Sequence, residues 1–321
     1  MKTKVKHDVV VIGELNVDII LNRIMQFPEI GKEILAESMS LTLGSSSAIF
    51  ASNLSMLGSA VAFIGKIGND SFASVVLDSL NSKGVETSHI VQSNSVNTGA
   101  TIVLNYDQDR ANITYPGAME DLKLSDIDFD FLSSARHVHF SSVFLQPSIR
   151  NSLHTLFSKA KSLGLTTSLD PQWDPSEKWE INLYELLPSL DIFMPNKAEF
   201  YKITGAKSIE EGIEKIRKIA PNITLVIKDG SNGAFGWNAG HLIHQPAFLN
   251  SEIVDCIGAG DSFNSGFIFS FLKGSTLQEC LYFGNVTGAL NTTSDGGTGA
   301  FKSKSLIRKV AKEKFNILID I

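Results

Sequence analysis

The chain has 321 residues, a formal net charge of −6, and hydrophobic and charged fractions of 43% and 19%. This balance is typical of a globular protein with enough chain for a large buried core. It lacks the clustered Lys and Arg of a nucleic-acid-binding surface, and no apolar run approaches the ~18 residues of a membrane span. The composition therefore predicts neither nucleic acid nor membrane as a partner.

The start of the chain and its cysteines indicate where the protein works. The first apolar run, residues 9–12, is too short for a signal peptide. Two cysteines, Cys256 and Cys280, are too few for a disulfide framework or a metal site, and we expect both as reduced, mostly buried thiols. We therefore expect a cytoplasmic protein.

The predicted elements alternate between short strands and longer helices along most of the chain. In chain order, buried strands are predicted at residues 8–13, 60–65, 137–142, 166–170, 191–196 and 224–230. Each is short, rich in apolar residues, and followed by turn residues. Amphipathic helices are predicted between them at 71–84, 148–164 and 208–220. This alternation predicts an α/β fold, with a mainly parallel sheet and helices on both faces.

Two segments, 15–43 and 97–119, break this alternation. Residues 34–43 alternate between apolar and polar side chains, and 97–119 holds two β-rich runs joined by the polar "DQDR" of 107–110, which predicts a hairpin. The two segments predict a small separate sheet. No linker, low-complexity tract or internal repeat divides the chain, so we expect a single domain over residues 1–321.

The stretch "DCIGAGDSF", residues 255–263, combines a glycine-rich turn with an acid. A helix is predicted from about residue 261 to residue 273, which would leave the amides of Gly258, Ala259 and Gly260 free to bind an anion. Small side chains let a phosphate approach the backbone, and Asp261 beside it could accept a proton from a hydroxyl. The alternative is a simple turn followed by an acid in the first helical turn.

Six motifs occur in an order that resembles the ribokinase-like (PfkB) carbohydrate kinases. They are "VVVIGELNVDI", "LGSSSAIFASNLSMLG", "AFIGKIGNDSFA", "MPNKAEF", "VIKDGSNGAF" and "DCIGAGDSFNSGF", the last matching the signature D-[TS]-x-G-A-G-D-x-F. The resemblance implies a ribokinase-like three-layer α/β/α fold with a small β-sheet lid at 15–43 and 97–119. It also implies transfer of the γ-phosphate of ATP to a sugar or nucleoside hydroxyl.

The resemblance assigns roles around the phosphates of ATP. Asp261 matches the catalytic base, and the anion hole matches Gly258, Ala259 and Gly260. Asn196 and Glu199 match the N-x-x-E motif that positions Mg²⁺, largely through water, although this spacing also fits a helix-capping box. The remaining nucleotide-side matches are Lys228, Gly230, Gly233, Asn291 and Gly297. A possible monovalent cation site, for K⁺, falls at Asp255 and Ile257.

On the acceptor side, the residues implied to hold the sugar are Asn16, Asp18, Gly44 and Ser45. The lid is implied to close over the substrate and to form a homodimer. Two positions depart from the family pattern: Ile49 replaces an Asn that contacts the sugar, and Gln172 replaces an Asn after the strand that ends at Asp170. The first departure leaves a nucleoside kinase open as an alternative to a sugar kinase. A non-catalytic sugar-binding or regulatory protein is the third hypothesis, although such a protein has no need of a base.

Overall fold

A computed structural model describes residues 5–106 and 110–321. Its larger sheet has eight strands in the spatial order β14-β13-β12-β11-β10-β9-β1-β4. Their bounds are β1 (His7–Ile12), β4 (Val61–Ile64), β9 (Ala135–Ser141), β10 (Thr166–Asp170), β11 (Ile192–Phe193), β12 (Thr224–Lys228), β13 (Ala234–Asn238) and β14 (His241–Gln245). The six strands from β4 to β12 run parallel, β13 pairs antiparallel with β12, and β14 pairs antiparallel with β13. All six predicted strands are therefore confirmed as neighbours in one sheet.

Eleven α-helices lie among the described residues. They are α1 (Ser46–Leu57), α2 (Ser71–Ser82), α3 (Phe129–Leu132), α4 (Pro147–Arg150), α5 (Leu153–Ser162), α6 (Leu183–Leu186), α7 (Lys197–Thr204), α8 (Ile209–Ile219), α9 (Ala259–Leu272), α10 (Leu277–Asn291) and α11 (Lys304–Phe315). The helix predicted at 148–164 is wrong as one element, since α4 and α5 are separated at Asn151 and Ser152. Both residues are weak helix formers because their side chains compete for backbone hydrogen bonds.

The first strand shows why the sheet is covered on both faces. Val9 and Val11 belong to one hydrophobic cluster, which includes side chains from α1, α2, α9, α10 and α11. Val10 and Ile12 belong to a second cluster, which includes side chains from α5, α7 and α8. Because successive strand residues point to opposite faces, an unbroken apolar run is buried on both sides. The predicted three-layer arrangement is confirmed.

The segments that broke the alternation form a separate four-stranded sheet in the order β3-β2-β7-β8. Its strands are β2 (Asn16–Asn22), β3 (Ser38–Leu43), β7 (Gly99–Asn105) and β8 (Arg110–Tyr115). Strands β2 and β7 pair in parallel, and the outer strands pair antiparallel to them. The predicted small sheet is confirmed; of its "DQDR" connection, residues 107–109 lie outside the described residues. A two-stranded sheet pairs β5 (Lys66–Gly68) with β6 (Val91–Ser93).

The carboxyl ends of the parallel strands place several polar side chains at one edge of the large sheet. Glu14 follows β1, Gln172 follows β10, Asn196 follows β11, and Lys228 ends β12. Ligands of open parallel sheets bind outside this edge.

The expectation for the cysteines is half wrong: Cys280 is buried, but Cys256 is exposed in the loop before α9. No described helix has the length and apolar character that a bilayer crossing requires.

Candidate active site

The glycine turn leads directly into α9. Gly258 is the N-terminal cap with φ 73°, and the helix begins at Ala259, two residues earlier than predicted. The Ala259 N–H donates to the Cys256 carbonyl at 3.2 Å, so the prediction of three free amides is wrong for this residue. The N–H groups of Gly258 and Gly260 find no acceptor within the described parts of the chain. A Cβ built on Gly260 would have only the Lys228 Nζ within 4 Å, at 3.8 Å, so the turn faces open space.

Asp261 lies in the first turn of α9 with 6% of its surface exposed. Its Oδ1 accepts a hydrogen bond from Gln172 Nε2 at 3.0 Å. The pKa of Asp261 is raised to about 7, mainly because the side chain is buried and secondly because of the negative charge of Asp170. The positive charge of Lys228 opposes this rise. A carboxylate with this pKa is well suited to accept and release a proton near neutral pH.

Behind Asp261 lies a buried ion pair that the sequence did not predict. Lys228 Nζ is 2.5 Å from Asp170 Oδ2, and Asn264 Nδ2 donates to the same oxygen at 2.5 Å. The amide of Gln172 donates to Asp170 Oδ2 at 3.0 Å as well as to Asp261, so it bridges the two carboxylates. Gln172 has φ 59°, a left-handed conformation that is unfavourable for a side chain of this size. Lys228 therefore reaches the predicted site with its charge already paired.

Asn196 and Glu199 form a capping box at the start of α7. Asn196 Oδ1 accepts from the Glu199 N–H at 2.9 Å, and Glu199 Oε2 accepts from the Asn196 N–H at 2.8 Å. Both residues also line the main cavity, so the structural and the metal-positioning interpretations are compatible. Burial, followed by the charge of Asp170, raises the pKa of Glu199 to about 7.

The predicted acceptor residues lie where the small sheet meets α1. Asn16 Nδ2 donates to Asp18 Oδ1 at 3.2 Å and to Thr101 Oγ1 at 2.9 Å. Burial raises the pKa of Asp18 to about 6. A Cβ on Gly44 would lie 2.3 Å from Asp18 Oδ1, so any larger residue there would displace this carboxylate. Ser45 both lines the cavity and caps α1, since its Oγ accepts from the Ala48 N–H at 3.0 Å.

Glu14 is a cavity residue that was absent from the predicted site. The residue is 2% exposed, and its carboxylate accepts hydrogen bonds from the N–H of Ser47 at 3.2 Å, from Ser47 Oγ at 2.5 Å and from Ser142 Oγ at 2.9 Å. Burial raises its pKa above the ordinary value for glutamate. The signal in the sequence was an acid just beyond the apolar run of residues 9–12, at the edge where ligands bind.

Two cavities meet at the glycine turn. The larger, about 470 Å³, is mainly polar and is lined by Asp261, Asn196, Glu199 and three of the predicted acceptor residues, Asn16, Asp18 and Ser45; Gly44 lies behind Asp18 and does not line it. The smaller, about 290 Å³, is mainly apolar, and its walls include Gly230, Gly233, Phe248, Leu249, Ile253, Phe263 and Ala289. Five residues border both cavities: Lys228, Gly230, Cys256, Ala259 and Gly260. This arrangement suits two substrates that react across the turn.

Three predicted residues, Asn291, Gly297 and Asp255, border neither cavity, whereas Ile257 lines the larger one. Asn291 is fully buried, and its Nδ2 donates to the Ile257 carbonyl at 2.6 Å, so placing it beside the adenine or ribose was wrong. Gly297 borders neither cavity and packs against Ile49, which corrects its predicted contact with the nucleotide. The Asp255 carboxylate accepts from the N–H groups of Ile257 and Gly296, both at 2.9 Å. Asn291 and Asp255 therefore hold the backbone of the turn through hydrogen bonds from outside the two cavities.

The family model for pfkB family carbohydrate kinases matches residues 6–304. A ribokinase of Arabidopsis thaliana is 27% identical over 318 residues, covering 94% of this chain and 80% of the relative. A 5-dehydro-2-deoxygluconokinase of Clostridium beijerinckii is also 27% identical, over 327 residues, covering 96% and 94%. The chain belongs to the pfkB family and is a carbohydrate kinase.

Solved structures agree with this fold. Arabidopsis thaliana ribokinase complexed with ribose and ATP has a TM-score of 0.79 at 24% identity, covering 94% of this chain and 99% of that one. An E. coli protein assigned as ribokinase II, in complex with ATP and Mg²⁺, has a TM-score of 0.80 at 23% identity, covering 96% and 99%. Both similarities show that the fold is ribokinase-like.

Proposed function

We propose that the protein transfers the γ-phosphate of ATP to a hydroxyl of a sugar or sugar derivative. The observation that carries this proposal is the position of Asp261, a buried carboxylate at the turn where a polar and an apolar cavity meet. The apolar cavity suits the adenine of ATP, and the polar cavity suits an acceptor with several hydroxyls.

In this mechanism Asp261 acts as the general base. The acceptor hydroxyl gives its proton to the Asp261 carboxylate while its oxygen bonds to the γ-phosphorus, and the bond to the ADP oxygen breaks. A pKa of about 7 leaves a substantial fraction of Asp261 ionised at neutral pH and also makes it a competent acceptor. The bridge from Gln172 fixes the orientation of the carboxylate before the acceptor arrives.

The glycine turn supplies the anion hole. The N–H groups of Gly258 and Gly260 and the positive end of the α9 dipole stabilise the charge on the transferred phosphoryl group. Because these donors are fixed by the helix, they need no reorganisation during the reaction. The Ala259 amide, already bonded to Cys256, contributes less than the resemblance implies. On the nucleotide side, Lys228, Gly230 and Gly233 border ATP in this proposal.

Asn196 and Glu199 suit a magnesium ion held largely through water. They offer hard oxygen atoms in the cavity, and the described residues contain no group of three His, Cys, Asp or Glu side chains that could hold a metal directly. When bound, Mg²⁺ neutralises charge on the phosphates of ATP. The K⁺ prediction has less support, because the Ile257 carbonyl already accepts a hydrogen bond from Asn291.

The alternative acceptor is a nucleoside. Ile49 packs against the turn, where it offers no hydrogen bond to a hydroxyl and extends the apolar wall of the acceptor cavity. Turnover of adenosine or another nucleoside at a higher kcat/KM than any sugar would favour this alternative. A non-catalytic binding protein is disfavoured, since burying a carboxylate at the turn destabilises the fold without serving a binder.

We also propose a homodimer through the small sheet. Ile19, Leu41, Ile102 and Ile113 form one cross-strand row on the face away from the cavity, and Ile113 is 61% exposed. An apolar row of this kind is typical of an interface. Light scattering should give twice the monomer mass, and Ile113→Lys should yield monomers; a monomeric wild type would refute this part of the proposal.

The test of the proposed function is an ATP-consumption screen over sugars, sugar acids, polyols and nucleosides. We expect acceptor-dependent turnover with at least one compound and its loss in Asp261→Asn. An absence of turnover with every compound, in a folded protein that binds ATP, would support the non-catalytic hypothesis instead.

A further inference from the structure

Glu14 has unused hydrogen-bonding capacity at the wall of the acceptor cavity. Ser47 and Ser142 supply three donors to its carboxylate, which offers about four acceptor positions. No Lys, Arg or His among the described residues forms an ion pair with it. Glu14 and Asp261 line the same cavity, and the charge of Glu14 contributes to the raised pKa of Asp261. A hydroxyl of the acceptor can therefore donate to Glu14.

The acceptor half of the cavity holds more negative than positive charge. Its carboxylates are Glu14, Asp18 and Asp261. Among the described residues, the small sheet contributes the cation Arg110, whose charge opposes the rise in the pKa of Asp18. Lys228 also borders the cavity but is paired with Asp170. A phosphate or carboxylate on the acceptor would meet like charges between walls that exclude water, where such repulsion is strong.

We infer that the acceptor is an uncharged polyhydroxy compound, and that Glu14 is the residue that selects it against acceptors bearing a carboxylate or a phosphate. This inference rests on the proposed function, because it concerns the acceptor half of the same site. It narrows the proposal to neutral sugars and polyols. A hydroxyl of the acceptor can donate to Glu14, whereas a carboxylate or phosphate group can only accept.

The experiment compares matched neutral and anionic acceptors: fructose with fructose 6-phosphate, ribose with ribose 5-phosphate, and glucose with gluconate. We expect kcat/KM to favour the neutral member of each reactive pair by about 10²-fold or more. A preference for any anionic member would overturn the inference while leaving the kinase function intact. If no compound is turned over, the proposed function fails, and the inference is then tested by the shift in melting temperature that each compound causes. Stabilisation of the protein by the neutral members alone supports the inference, and any other pattern counts against it.

Glu14→Gln tests the selecting residue at nearly constant volume. Removing its charge should raise the anionic-to-neutral ratio of kcat/KM about tenfold, by lowering the repulsion of the anionic member. The matched control is Glu214→Gln, which removes an equal charge from the exposed surface of α8 and should leave the ratio unchanged. An unchanged ratio in Glu14→Gln would overturn the role of Glu14. If that variant does not fold, Glu14→Asp, which keeps the charge, must retain the preference for neutral acceptors; its loss would count equally against the inference.

Discussion

Replacing Asp261 with Asn tests the burial of the proposed base without any substrate. Burial is the main cause that raises the pKa of Asp261 from its ordinary value of 3.8 to about 7. The folded protein therefore holds this proton more tightly than the unfolded chain does. Ionisation of Asp261 lowers stability progressively as the pH rises from about 4 to about 7, and the loss is complete above the folded pKa. Asn keeps the shape and stays neutral, so the variant escapes this loss.

About three pKa units at ~1.4 kcal/mol each set a ceiling of about 4 kcal/mol for the effect. Because Lys228 and Glu199 readjust when Asp261 is neutralised, we expect Asp261→Asn to be more stable than the wild type by about 1–3 kcal/mol at pH 8. The advantage should be smaller at pH 5. Thermal unfolding in apo protein between pH 4 and 9 measures this difference, which corresponds to several degrees.

Asp320→Asn is the control, since it removes an exposed aspartate near the end of the chain. Its melting temperature should follow that of the wild type at every pH. An Asp261→Asn variant that is less stable than the wild type at pH 8, or a difference that does not change with pH, would refute the assignment of a buried carboxylate with a raised pKa.

Three further predictions concern the turn and the residues behind it. Gly260→Ala should keep the stability or raise it by ~0.5 kcal/mol, because the added Cβ fits and the position is helical. The same variant should lower kcat/KM by at least ~10-fold, because the Cβ obstructs the phosphate. Gly258→Ala, at φ 73°, should instead lower the free energy of unfolding by about 1–3 kcal/mol, measured by thermal unfolding. Lys228→Met should destabilise the protein by about 3–5 kcal/mol, because it leaves the buried Asp170 without its cation. The double variant Lys228→Met/Asp170→Leu should recover part of that loss in urea unfolding. No recovery would argue against the buried pair. Gln172→Ala should move the acidic limb of the kcat/KM profile to higher pH by about half a unit to one unit, since a donor to the carboxylate of the base is removed; an unmoved limb would exclude the bridging role.

The large sheet was predictable from the sequence because its strands are apolar on both faces. Runs such as residues 9–12 identify a buried strand without any tertiary information. The exact ends of the elements were less predictable. Residues 191–196 were predicted as one strand, but the continuous strand is only Ile192–Phe193. Asn196 pairs with Lys228 as an isolated bridge, while Pro195 has no N–H and Asn196 also caps α7.

Residues of the site that lie in compact motifs were easier to find than those that act across the fold. Asp261 and its glycines are contiguous, so the sequence alone indicated them. The contact of Gln172 with Asp261 joins residues 89 positions apart, and Gln172 has an unusual backbone conformation. Asn291 was predicted to lie beside the nucleotide but instead donates to the Ile257 carbonyl. Its neighbours in sequence do not reveal which side of the turn its side chain faces.

The most direct test of the central claim is the rate of acceptor-dependent ATP turnover in wild type and Asp261→Asn, measured with the acceptor that the screen identifies. If Asp261 is the general base, kcat should fall by about 10²–10⁴-fold, while the dissociation constant for the acceptor changes little. Retention of more than about a tenth of the wild-type kcat by Asp261→Asn, at any pH from 6 to 9, would contradict the assignment.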